Sequence, residues 1–154
     1  MTDSVELIDV GPRDGLQSLD VNVTPGVRAA LVNQLLVAGV DLVEAVSFMS
    51  ESRVPQMAGA ADVIAGVDAS YRDRVTALVP NQRGFQRAAE AGLRQVRCVV
   101  AASDEMNRAN FGVETDRTVE AIEVIARDAA ASGIDIGVII GTAFGCPYEG
   151  AVPE

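Results

Sequence analysis

The sequence contains no histidine and no lysine; all 12 of its basic residues are arginine. Each gap closes a class of chemistry. Without lysine there is no side-chain amine to form a Schiff base with a carbonyl substrate. Without histidine, the commonest general base and the commonest transition-metal ligand are both missing. Acid–base or metal work must fall to Asp, Glu, Asn, Cys, Tyr or backbone oxygen. Oxygen-rich sites select hard cations such as Mg²⁺ or Mn²⁺. Cysteine is scarce: Cys98 and Cys146 lie far apart and read as two free thiols. No apolar run approaches the roughly 20 residues of a membrane-spanning helix. The opening M-T-D-S-V-E has no basic stretch ahead of an apolar one, so no secretory leader is expected and a cytoplasmic location is. Positive charge is short as well. A net charge of −10 argues against the clustered basic surfaces that nucleic acids and anionic membranes require, so neither is an expected partner.

What is present is an alternation. With 154 residues, 49% of them hydrophobic, the chain can bury one real core, and no composition break marks a second domain. Residues 1–154 are therefore expected to form a single α/β domain. V-E-L-I-D-V (5–10) reads as a first strand. Thr24-Pro25 has the form of an N-cap and first helical residue, and the helical spacing of Val27, Ala30, Leu31, Gln34, Leu35 and Ala38 runs to Gly39. D-L-V-E-A-V-S (41–47) is a second strand, followed by a weaker helix over residues 56–66. V-T-A-L-V (75–79) is a third, and Asn81 caps a helix through Glu90. Q-V-R-C-V-V-A-A (95–102) is a fourth. Thr115 is expected to cap the longest helix, closed by Gly133, and I-D-I-G-V-I-I-G (134–141) is the fifth strand. Five Val/Ile/Leu-rich strands and four helices in this order make either an open doubly wound sheet or part of a (β/α)8 barrel. The dinucleotide-binding alternative fails, because G-P-R-D-G lacks the G-x-G-x-x-G spacing and its proline removes a backbone donor.

In both architectures a site forms at the carboxyl ends of the strands. The first strand runs into Asp9, Arg13, Asp14 and Gln17. The second carries Glu44 and Ser47 in an apolar context. The third ends at Pro80-Asn81, the fourth at Ser103, Asp104, Glu105 and Asn107, and the fifth at Thr142 and G-C-P-Y-E-G (145–150). Glu44 lies where both strand faces should be buried. Its carboxylate needs a cation, an arginine or a proton. A structural ion pair with Arg13 and a share in an active site both satisfy that need. Asp14 before a glycine is equally ordinary turn chemistry. Cys98 reads as core and Cys146 as a small buried residue rather than a nucleophile. Asp116, Glu120, Glu123 and Asp128 read as the solvated face of the long helix.

Four motifs in register carry a resemblance. G-P-R-D-G-L-Q, V-E-A-V-S-F with V-P-Q-M, V-P-N and G-C-P-Y-E-G follow successive strands. Together they resemble the 3-hydroxy-3-methylglutaryl-CoA lyases of the DRE-TIM metallolyases, the superfamily of the isopropylmalate and homocitrate synthases. Synthases typically read T-L-R-D-G here, so the G-P favours the lyase branch. The resemblance implies a (β/α)8 TIM barrel with a divalent cation, Mg²⁺ or Mn²⁺, at its mouth. It implies that Asp14 ligates the metal, that Arg13 stabilises the enolate formed as the carbon–carbon bond breaks, and that Glu44 supports both. Gln17, Ser47 and Asn81 match polar positions lining the substrate site. The implied reaction is retro-Claisen cleavage of an acyl-CoA to acetyl-CoA and acetoacetate, part of leucine degradation. A sister aldolase, lyase or synthase of the superfamily is the alternative.

That family is about twice as long, and the resemblance puts a His-x-His pair, a ligating asparagine and a cysteine loop in its second half. Three expectations follow for these 154 residues: a partial lyase, a half-barrel completed by a separate chain, or a non-catalytic remnant. Open strand edges favour self-association or a complementing partner.

Overall fold

The computed structural model describes residues 5–153, and the first residues of the expected leaderless start lie outside them. Five parallel strands pair in sequential order: β1 (Ile8–Asp9), β2 (Leu42–Ser47), β3 (Val75–Leu78), β4 (Gln95–Ala101) and β5 (Asp135–Gly141). Sequential order decides between the two architectures left open by the sequence. A doubly wound sheet reverses its strand order to place helices on both faces, whereas a barrel wall adds each strand beside the last. This sheet is a barrel wall.

Alternation along β4 shows the two faces. Val96, Cys98 and Val100 are buried, whereas Gln95, Arg97 and Val99 on the other face are partly open. Val96 and Cys98 belong to the same core as Ala29, Val32 and Leu36 of α1 (Pro25–Val37) and Ile125 and Ala129 of α5 (Thr115–Ser132). The face bearing Arg97 and Val99 is therefore the barrel lumen. Glu44 sits on this inner face of β2, beside Thr76 of β3. A bulge between Glu44 and Val46 resets the register there.

Boundaries moved where local chemistry intervened. The expected 5–10 strand pairs only over Ile8–Asp9, because Gly11–Gly15 at once forms a single π-helical turn. The expected 56–66 helix is broken into a 3-10 turn, Pro55–Met57, and α2, Ala60–Ala65. Gly59 makes the break. It has φ +69°, and a Cβ there would lie 2.7 Å from Pro25 Cγ, so only glycine fits. Asn81 caps α3 (Gln82–Glu90) as expected, its Oδ1 accepting from Gly84 N–H at 2.9 Å. Thr24 precedes α1 but makes no side-chain cap.

Among the described residues there are five α-helices where four were expected. Ser103–Asn107, read as a strand end, opens the additional α4 (Asp104–Phe111). Thr115 is the first residue of α5 rather than its cap; its N–H donates to Asp104 Oδ1 at 2.9 Å and its hydroxyl to Ala101 O at 3.1 Å. The buried Asn107 accepts from Ala101 N–H and donates to Val113 O and Thr118 Oγ1, locking α4 onto β4 and α5. Apolar periodicity could not show a helix held mainly by polar contacts.

Candidate active site

The π-helical turn at the end of β1 is built from its own sequence. Asp9 Oδ1 accepts from Gly11 N–H at 2.8 Å, and Val10 O accepts from Arg13 and Asp14 N–H at 3.1 and 2.7 Å. A Cβ on Gly11 would press on Asp9 Oδ1 at 3.0 Å, and Pro12 is buried beneath the turn. Arg13 is thereby turned into the lumen and Asp14 to the mouth.

Arg13 Nε donates to Glu44 Oε1, and Arg13 Nη1 donates to Asp14 Oδ1 at 2.5 Å. The Glu44 side chain is 1% exposed, that of Arg13 12% and that of Asp14 64%. Glu44 is thus a buried carboxylate whose desolvation is offset by a guanidinium, with additional donor atoms of Arg13 left over. Nη2 of Arg13 makes no hydrogen bond among the described residues. A cavity of about 390 Å³ opens onto this cluster, lined by Arg13, Asp14, Gln17, Met49, Asn110 and Phe111. Gln17 Oε1 is shielded from water yet accepts no hydrogen bond. An unpaired buried acceptor beside a pointed guanidinium is what a polar ligand would complete.

Arg13, Asp14, Gln17 and Glu44 are brought together; Ser47 and Asn81 are not. Ser47 is buried, its Oγ accepting from Met49 N–H at 3.3 Å. Asn81 lies on the adjoining cavity of about 460 Å³, its amide oxygen already engaged in capping. Met49, Asn110 and Phe111 line both cavities and were not singled out in the sequence. Asn110 and Phe111 sit at the end of α4, the helix the pattern hid. V-P-Q-M is structural in large part. The buried Arg28 donates to Gln56 O at 2.6 Å and Ala58 O at 3.1 Å, tying this loop to α1. Burial pushes the Arg28 pKa down.

Cys98 and Cys146 are both free and buried. Burial pushes the Cys98 thiol up to about 11. Burial also raises Cys146, but hydrogen bonds with Ser103 and the N–H groups of Tyr148 and Glu149 outweigh it and bring its pKa below the ordinary value. No group of three His, Cys, Asp or Glu side chains converges among the described residues. The donors of the described residues alone therefore do not fit a resident cation, since hard cations take several oxygen ligands. Among the described residues, no helix is long and apolar enough to cross a membrane.

Comparison with known proteins agrees with this geometry. The HMGL-like family model matches residues 4–154. The chain is 44% identical to the (R)-citramalyl-CoA lyase of Chloroflexus aurantiacus, over 99% of this chain and 51% of that protein. It is 38% identical to the mitochondrial hydroxymethylglutaryl-CoA lyase of Bos taurus, over 96% of this chain and 46% of the relative. The crystal structure of the Bacillus subtilis HMG-CoA lyase superposes with a TM-score of 0.92 at 34% identity, covering 97% of this chain and 50% of that one. A lyase from Acinetobacter baumannii, solved with coenzyme A and 3-methylmalate, gives a TM-score of 0.89 at 29% identity, over 97% and 48%. The chain spans about half the length of the relatives it matches. Sequence, strand order and fold agree that this chain belongs to the HMGL-like family, whose relatives named here are lyases.

Proposed function

We propose that these residues form the first half of a retro-Claisen lyase acting on a tertiary 3-hydroxyacyl-CoA, as one α/β unit completed by a second half-barrel. The observation that carries this is Arg13. Glu44 fixes its guanidinium while donor atoms remain directed at a cavity large enough for an acyl group. In the cleavage, the 3-hydroxyl loses its proton to a base and its oxygen becomes a carbonyl. The C2–C3 bond breaks, and its electron pair moves to C2 as the thioester enolate. Protonation at C2 then yields acetyl-CoA. Arg13 stabilises the charge that develops on the enolate oxygen, and Glu44 keeps it in place, so the stabilisation belongs to the transition state rather than to the substrate. Gln17 supplies an acceptor for a substrate N–H or O–H group. Ser47 orders the wall behind it through Met49, and Asn81 sets the start of α3 beside the adjoining cavity. Asp14 is the one carboxylate this half would offer a divalent cation, Mg²⁺ or Mn²⁺, with the remaining ligands supplied by the other half. Two free buried thiols support a reducing, cytoplasmic setting.

The substrate is 3-hydroxy-3-methylglutaryl-CoA, giving acetyl-CoA and acetoacetate. A second reading, (R)-citramalyl-CoA, is favoured by the 44% identity to a lyase of that name. The test measures acetyl-CoA release from each thioester by this chain, alone and co-expressed with the second half of the Chloroflexus relative. Cleavage is expected only in the complemented form, with a loss on the order of 10²-fold or more in Arg13→Met. An assembled complex that cleaves neither thioester, or an equal rate from Arg13→Met, would reject this function.

A further inference from the structure

Arg97 is the second arginine on the lumen face, one layer below the site. Leu78 and Val99, which line the cavity, neighbour it in the sheet. Its register partner on β5 is Gly137. A Cβ built on Gly137 would lie 2.1 Å from Arg97 Nη1 and 3.0 Å from Cζ. The guanidinium therefore lies over β5 in the space a glycine leaves, on the last strand of the sheet. Neighbouring strands lie about 4.8 Å apart, so the next strand on that edge would meet the guanidinium directly. Among the described residues Arg97 makes no side-chain hydrogen bond and no ion pair. Asp135 lines the same small cavity. Beside it, Val138, Ile139 and Ile140 of β5 are 49%, 40% and 61% exposed.

A closed barrel has a lumen filled with side chains and little water. A guanidinium enclosed there needs a carboxylate, as Arg13 has Glu44. We propose that the β5 edge receives a parallel strand from the second half-barrel, and that this strand carries an Asp or Glu level with Gly137 that neutralises Arg97. This rests on the half-barrel reading above and adds the chemistry of the joint. The apolar outer positions Val138 and Ile140 would be covered by the helix that follows such a strand.

The test joins this chain to the second half of the Chloroflexus (R)-citramalyl-CoA lyase, the part it does not match, as one polypeptide. Thermal unfolding is then followed for the chimera and for the 154-residue chain. Arg97→Met is expected to lower the chimera's Tm by about 5–8 °C, by stranding a buried carboxylate, and to leave the chain alone unchanged. Arg97→Lys should recover most of that loss. Changing the opposing carboxylate to its amide in the Arg97→Met background should recover it as well. An unchanged Tm in the Arg97→Met chimera overturns the proposal while the half-barrel reading stands. So does an Asp135→Asn chimera that reproduces the Arg97→Met loss, because the counter-charge would then be internal. A chimera that shows no cooperative unfolding rejects the half-barrel reading itself, and the proposal with it.

Discussion

β2 and β5 are written in the same apolar alphabet, L-V-E-A-V-S and D-I-G-V-I-I-G, yet they meet different surroundings. Every residue of β2 is buried; none of β5 is. β2 has a strand on each side, a helix layer outside and the Arg13 turn inside. β5 has a neighbour on one side only, and Val138 and Ile140 are open to water. Strand composition thus records the environment a strand is suited to, not the one this chain supplies. The contrast extends to charge: among the described residues, the lumen arginine near β2 is paired and the one near β5 is not.

The strongest way to break the comparison is to strip β2 of its pairing. Arg13→Met leaves Glu44 buried without a counter-charge and should cost about 3–5 kcal/mol in urea unfolding. A loss under about 1 kcal/mol would mean Glu44 is reached by water, and that β2 is less enclosed than it looks. Next in size, Val43→Ala on β2 should cost about 2 kcal/mol through the cavity it leaves. Its companion on the edge, Ile140→Ala, should cost under about 0.5 kcal/mol. Equal losses at the two positions would show that β5 is covered in solution, and light scattering would then reveal the self-association responsible.

A smaller effect tests the helix-facing side of β4. Burial pushes the Cys98 thiol up to about 11, above its ordinary value of 9.0. Between those values the unfolded chain has released a proton that the folded chain keeps. Stability should therefore be intact below about pH 9 and fall as pH rises toward 11, by about 1 kcal/mol at pH 10. Cys98→Ala should remove that slope in unfolding curves taken across the window. A slope that persists in the variant would assign it to another group.

Much of this was legible beforehand because each piece has a local cause. The five strands, Asn81 as a cap and the pairing of Arg13 with Glu44 follow from apolar runs, a capping residue and an orphan carboxylate. α4 was not legible, because Asn107, Asp104 and Thr115 hold it through contacts with distant backbone. The local contacts of Ser47 and Asn81 were not legible either. Both stand at strand ends, and a nearby N–H group donates to each side-chain oxygen, leaving the Ser47 hydroxyl and the Asn81 amide N–H groups to donate. Spacing shows which residues reach the mouth, not which of their donors and acceptors are already engaged.

The strand order has a consequence for how such a chain is made. Every strand pairs with the one synthesised just before it, so no contact in the sheet waits for a distant segment. Each closure spans a single strand-to-strand connection, and folding can advance unit by unit as residues leave the ribosome. At each moment the newest strand is the sticky margin of the product. Val138 and Ile140 then mark where a nascent barrel would be met by a chaperone or by its next unit.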